Sequence, residues 1–282
     1  MHCTTALESD AVLIAQITDT HIRAEGKLCY GKLDTFTYLE RCVAHINALS
    51  PRPDAVLVTG DITDFACRAA YERAAAAFAQ LVMPFYLVPG NHDDPALIRA
   101  VFNDHEYLPD AGFVQYAIDT YAIRLIGLDT QVIGESGGLL CAQRLAWLTA
   151  QLLAAPNKPT LLFMHHPPFE TGIGHMDVQN CANAAALGHL VQQNQQIKYI
   201  LCGHVHRQIE TAWCGTVVAV GPSPAHAVAL DIEVGAEPSF VLEPPCIKLL
   251  HWNGAQLIGH LSFIGEFAGP YPFYDAAGKL ID

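Results

Sequence analysis

The chain has 282 residues, 51% of them hydrophobic, and a formal net charge of −13. That length is enough to bury a sizeable core, and the acidic balance excludes a protein that grips long nucleic acid through a basic face. A small phosphate substrate is not excluded, because bound cations reverse the local sign of an acidic site.

No uninterrupted apolar stretch of about 18 residues occurs, so no membrane span is expected. The N-terminus has only the short apolar run Ala11 to Ala15 and no basic region, and no leader peptide is expected. Nine cysteines are scattered without a C-x-x-C pair. Reduced, mostly buried thiols in a cytoplasmic protein fit that usage.

The elements follow in chain order. Ala11–Ile17 reads as a buried strand and ends in Asp19-Thr-His21. Asp34–Leu49 reads as a helix with Asp34 as its N-cap. Ala55–Thr59 is the next strand and runs into Gly60-Asp61-Ile-Thr-Asp64. A helix over Ala66–Leu81 precedes the strand Phe85–Val88, which ends in Gly90-Asn91-His92-Asp93-Asp94, with a further helix start at Asp94-Pro95. Phe113–Ile118 and Tyr121–Leu128 form a hairpin closed by Asp119-Thr120. The helix Ala142–Ala154 leads to the strand Thr160–Met164 and to His165-His166-Pro-Pro. The helix Ala184–Gln195 leads to the strand Tyr199–Cys202 and to Gly203-His204-Val-His206. From about residue 207 the chain is β-rich, with strands at Ile209–Trp213, Thr216–Val220, Ile247–Trp252 and Gln256–Ile264. Loops fill Gly221–Pro245. No linker interrupts the pattern, so residues 1–282 read as a single α/β domain with mixed sheets and helices on both outer faces.

Five successive strands thus end in Asp, Asn or His. Strand ends are where an α/β sheet puts its chemistry. Alternate residues on extended backbone point the same way, which sets Asp19 and His21 to converge on one object, with a metal as the candidate. Each motif alone has an ordinary explanation as a turn, a cap or a hydrogen-bonded histidine. Five in order, each on a strand end, do not.

Together, Asp-x-His, Gly-Asp-x-x-Asp, Gly-Asn-His-Asp, His-His-Pro-Pro and Gly-His-x-His resemble the calcineurin-like metallophosphoesterase family, within it the class III cyclic nucleotide phosphodiesterases and their glycerophosphodiesterase relatives. The resemblance runs from about Ile14 to His206. Weaker likenesses to the bacterial branch cover Thr171–Asp177 and Phe263–Phe273. The resemblance implies a four-layer α/β/β/α sandwich and a two-metal site. One metal would take Asp19, His21, Asp61 and His206. The other would take Asp61, Asn91, His165 and His204, with Asp61 bridging. Carboxylate, imidazole and amide ligands without thiolate suit two divalent ions such as manganese, iron or zinc.

The expected reaction is hydrolysis of a small phosphodiester by in-line attack of a metal-bound hydroxide. A 3′,5′-cyclic nucleotide such as cAMP comes first by resemblance. Glycerophosphodiesters, 2′,3′-cyclic nucleotides and phosphomonoesters are the alternatives, and a non-catalytic scaffold is the reading from another class. His92, beside a ligand but not one itself, is the candidate proton donor to the leaving oxygen, with Asp64 holding its ring. Asp93 supports the ligands from behind. His166, His175, Arg207, His226 and Tyr271 are left open as pocket residues, and Asp177 reads as the cap of a following helix. Homo-oligomerisation through the C-terminal segment is also left open.

Overall fold

The computed structural model describes residues 10–281. Residues 1–9, on which the expectation of no leader peptide partly rests, lie outside that range. Strand β1 (Val12–Ile17), β2 (Ala55–Val58) and β3 (Phe85–Leu87) pair in parallel, with α1 (Thr35–Ala48) and α2 (Arg68–Phe78) as the crossovers. Helix α3 (Pro95–Val101) leads to the antiparallel pair β4 (Tyr116–Ile118) and β5 (Arg124–Gly127). Then come β6 (Gly138–Leu139), α4 (Ala142–Ala154), β7 (Thr160–Phe163), α5 (Gly174–Asp177), β8 (Cys181–Ala182), α6 (Ala184–Gln193) and β9 (Ile197–Cys202). Strands β10 (Ile209–Trp213) and β11 (Thr216–Val220) follow, then the ribbon β12 (Ala227–Val228) with β13 (Phe240–Val241), and last β14 (Cys246–Trp252) and β15 (Leu257–Phe263).

Two mixed sheets result, ordered β15-β14-β1-β2-β3 and β10-β11-β9-β7-β5-β4. The β-rich C-terminal stretch is divided between them. β11 lies parallel to β9, while β14 runs antiparallel to β1.

The period of two along each strand sorts the side chains into three apolar layers. Val12, Ile14, Leu57, Leu161, Phe163 and Leu201 pack between the sheets. Ala15, Ile17, Val56 and Val58 face the other way, onto Leu39, Val43 and Ile46 of α1 and Tyr71 and Phe78 of α2. Leu162, Ile200 and Cys202 likewise meet Leu148 and Leu152 of α4 and Leu187 of α6. This is the expected α/β/β/α sandwich. Burying each such side chain contributes about 1.5–3 kcal/mol. Gln16, a polar residue within β1, donates its Nε2 hydrogens to Thr59 Oγ1 (2.7 Å) and to the Cys202 carbonyl (2.8 Å), which ties the two sheets together near one edge.

Local details differ from the sequence pattern. Asp34 stands before α1, but its carboxylate accepts from the Thr37 hydroxyl and from no helix N–H. Asp94 does cap α3, accepting from Ala96 N and Leu97 N. Helix α2 starts later than its apolar pattern because Ala66 adopts φ of 42°, outside the right-handed helical region, and it ends at Phe78, short of Leu81. The 221–245 loop region contains the β12–β13 ribbon.

Candidate metal centre

The ends of β1, β2, β3, β7 and β9 converge on one edge, and backbone hydrogen bonds lace their loops together. Asp19 N donates to Gly60 O and His21 N to Asp61 O, both at 3.0 Å, and Gly203 N donates to His165 O at 2.9 Å. Asp19, His21, Asp61, His204 and His206 all lie in the left-handed region, with φ between 44° and 75°. Side chains avoid that conformation, and clusters of such residues occur where the surrounding structure holds functional groups against strain. Two glycines permit the crowding. A Cβ on Gly90 would stand 2.2 Å from Asp61 Oδ1, and one on Gly203 would stand 2.3 Å from Thr18 Oγ1.

Asp61 is at the centre. Its Oδ1 accepts from His92 N (2.9 Å), and its Oδ2 faces His21 Nε2 at 3.6 Å and His165 Nε2 at 3.3 Å. On one side, His21 Nε2 and His206 Nε2 face each other at 3.2 Å, and His206 Nε2 lies 3.4 Å from Asp19 Oδ1. Ligand atoms of Asp19, His21, Asp61 and His206 all fall within 4.8 Å of one another. On the other side, Asn91 Oδ1 lies 3.1 Å from both His165 Nε2 and His204 Nδ1. Two sets of ligand side chains, buried except for the half-buried Asn91 and flanking one carboxylate, match the chemistry of a pair of divalent ions. All seven residues named from the sequence as ligands are brought together here. The buried ring nitrogens His204 Nε2 and His206 Nδ1 have no hydrogen-bond partner.

Burial alone would raise the pKa of Asp61, but the His165 imidazole outweighs this and holds it well below the usual carboxylate range. Burial would lower His165, yet Asp61 and then Asp19 push it up to about 9. His204, buried and beside His165, is pushed down to about 3. Asp19 is raised to about 6 by burial.

A second layer holds these groups. Asp93 accepts from Gly90 N, Ile62 N, Thr63 N and Tyr71 Oη at 2.9–3.2 Å, stapling the 90–94 loop to the 60–64 loop. His165 Nδ1 lies 2.8 Å from the Thr59 carbonyl, which fixes the hydrogen on Nδ1 and turns Nε2 inward. Asp19 accepts from His204 N and Thr18 Oγ1. Thr59, Thr18 and Tyr71 were not legible as site residues. A backbone carbonyl or a lone hydroxyl carries no sequence signal.

His92 lies at the opening, with 37% of its side chain exposed. The expected carboxylate–imidazole pair with Asp64 takes a different form. His92 Nδ1 is 2.9 Å from the Asp64 backbone carbonyl, while the carboxylate stays 3.8 Å away. That carboxylate is drawn instead to Arg23 and His21. His166 is fully buried with both nitrogens engaged, by Thr130 Oγ1 at 2.8 Å and Ser136 O at 3.1 Å. Asp177 caps no following helix; it accepts from Thr171 N, Thr171 Oγ1, Gly172 N and Asn180 Nδ2, and so closes its own loop. Arg207 pairs with Glu243 at 2.9 Å and donates to the Val228 carbonyl. His226 is 3% exposed, its ring 4.5 Å from that of His206. His175 is half-buried on α5, and Tyr271 is 75% exposed in the C-terminal tail.

Comparison with known proteins agrees with this geometry. The family model described as calcineurin-like phosphoesterase matches residues 12–208. A probable glycerophosphodiester phosphodiesterase, GpdQ, of Arcobacter nitrofigilis is 42% identical over 273 residues, covering 96% of this chain and 100% of its own. The 3′,5′-cyclic adenosine monophosphate phosphodiesterase CpdA of Escherichia coli K12 is 32% identical over 215 residues, covering 75% of this chain and 76% of its own. Among solved structures, a dimetal phosphatase from Danio rerio superposes with a TM-score of 0.58 at 14% identity, covering 88% of this chain and 98% of its own. That last likeness speaks for the fold alone. The family match spans every strand end that builds the cluster, and on that ground the chain belongs to the calcineurin-like phosphoesterases.

Proposed function

We propose that the protein is a binuclear metal-dependent phosphodiesterase of small diesters. The observation that carries this reading is the position of Asp61 Oδ2 between two donor sets, facing His21 on one side and His165 on the other. Asp19, His21, Asp61 and His206 would hold one divalent ion, and Asp61, Asn91, His165 and His204 the other. Manganese, iron and zinc all suit these ligands. When bound, such a pair neutralises and orients the phosphate and lowers the pKa of coordinated water.

The chain's own groups do the rest. His92 Nδ1 carries a hydrogen, because the Asp64 carbonyl only accepts. As the imidazolium, the ring would pass the proton on Nε2 to the leaving oxygen and be left neutral, with its remaining hydrogen on Nδ1. The persistence of every proposed ligand and of His92 argues against a scaffold that has lost its chemistry. A cavity of about 230 Å³ lined by His206, Ser223, His226 and Phe263 adjoins the cluster and suits a small alcohol group, not a polymer.

Two substrate classes compete. The glycerophosphodiester reading draws support from a relative of that name matching the chain through its C-terminal strands. The 3′,5′-cyclic nucleotide reading draws on the shorter match to the cAMP enzyme. A panel of sn-glycero-3-phosphoethanolamine, cAMP, 2′,3′-cAMP, bis-p-nitrophenyl phosphate and p-nitrophenyl phosphate, run on manganese-reconstituted protein, separates these. Preference for the monoester would reject the diesterase reading. Scattered cysteines without a C-x-x-C pair support a cytoplasmic setting. Among the described residues, no helix is long and apolar enough to cross a membrane.

A further inference from the structure

Arg23 lies two residues beyond His21, outside every motif named above. Its Nη1 donates to Asp64 Oδ2 at 2.7 Å, and its guanidinium lies 4.2 Å above the exposed ring of Phe65. The main chain beneath it is fixed as well. Arg73 Nη1 donates to the Arg23 carbonyl at 2.7 Å, and Ile22 bridges Thr63 across the two loops. The Arg23 side chain is 26% exposed, whereas that of Asp64 is 4% exposed.

Asp64 faces two site histidines at once. Its Oδ1 lies 3.4 Å from His21 Nδ1 and 3.8 Å from His92 Nδ1, and its carbonyl lies 2.9 Å from His92 Nδ1. A buried carboxylate with two histidine neighbours has more than one orientation available, and binding to either ring would turn the other. Arg23 removes that freedom by holding Oδ2. Oδ1 is thereby left 3.4 Å from the non-ligating nitrogen of His21, which has no other hydrogen-bond partner, placed for the contact that orients a metal-bound imidazole. The main-chain carbonyl is left to His92.

We propose that Arg23 is a positioning residue that, through Asp64, sets both the His21 ligand and the His92 proton donor. This rests on the diesterase reading above. A guanidinium suits the task better than an ammonium, since its plane stacks on Phe65 while one edge holds the carboxylate.

The test compares Arg23→Gln and Arg23→Lys with His92→Ala, on one diester with an alkyl leaving group and on bis-p-nitrophenyl phosphate, whose leaving group needs no proton. Arg23→Gln is expected to lower kcat on the alkyl diester by about tenfold or more, the scale seen when a ligand's supporting partner is lost. At saturating manganese, where the weakened site is filled, KM and the rate on the nitrophenyl ester should stay within about threefold, with Arg23→Lys intermediate on the alkyl diester. Manganese titration of the metal-stripped protein should show one of the two sites weakened in Arg23→Gln. Equal loss on both esters, a change confined to KM, or unchanged metal affinity would overturn the proposal. If His92→Ala is itself unselective between the esters, the proton-donor assignment falls and this inference with it. If only His92→Ala is selective, the inference alone falls.

Discussion

Replacing Asp61 by asparagine keeps the shape of the side chain and an oxygen that accepts from His92 N, but removes one negative charge from the centre of the cluster. The carboxylate oxygen lies 3.3–3.6 Å from imidazole nitrogens on both sides. At about 3.5 Å and an effective dielectric of about 20, one unit charge interacts with another by about 5 kcal/mol, and with a divalent ion by about twice that. Desolvation and the remaining ligands offset part of this, so a net loss of about 3 kcal/mol, or roughly a hundredfold in affinity, is a conservative expectation. Isothermal titration of metal-stripped Asp61→Asn with manganese, followed by elemental analysis after gel filtration, reads the loss at each site. The metal-free variant should melt somewhat below the metal-free parent, because the attraction of His165 that holds Asp61 well below the usual carboxylate range is lost, and relief of the repulsion on Asp19 offsets only part of it. Two ions retained at parental affinity would refute the bridging role.

Two further substitutions probe the same centre. His92→Ala should keep both ions and lose about a hundredfold or more in kcat on a diester with an alkyl leaving group, the usual worth of a positioned acid; unchanged turnover removes His92 from the mechanism. Gly90→Ala puts a methyl 2.2 Å from Asp61 Oδ1 and 2.4 Å from Asp61 N. It should cost about 1–3 kcal/mol of stability by calorimetry and weaken metal binding, since the intruded groups are the bridge itself. A variant with parental melting temperature and metal affinity would mean that the two loops are not packed as described.

The cluster was legible because buried parallel strands announce themselves as short apolar runs, and the residues that follow them share one edge whatever the loop lengths. That rule set Asp19, Asp61, Asn91 and His204 on one edge; the resemblance to the family implied their assignment as ligands. The second layer was not legible, because it depends on which loops touch. Asp64 was expected to hold the His92 ring by its carboxylate, but the Ile22–Thr63 bridge brings Arg23 alongside and the carboxylate turns to it. Asp177 reads as a cap by spacing, yet Thr171 and Gly172 fold back within reach and take both oxygens. The β12–β13 ribbon has only two residues per strand, too few for any period to register, and its pairing spans the loop between Val228 and Phe240.

The account turns on whether seven side chains from five strand ends hold two ions across one carboxylate. Crystals soaked in manganese and measured at its absorption edge read this directly. Two anomalous peaks about 3.5–4 Å apart, one on the His21–His206 side of Asp61 and one on the Asn91–His165 side, are the predicted result. A single peak, or peaks that leave Asn91 or His204 without contact, would contradict it.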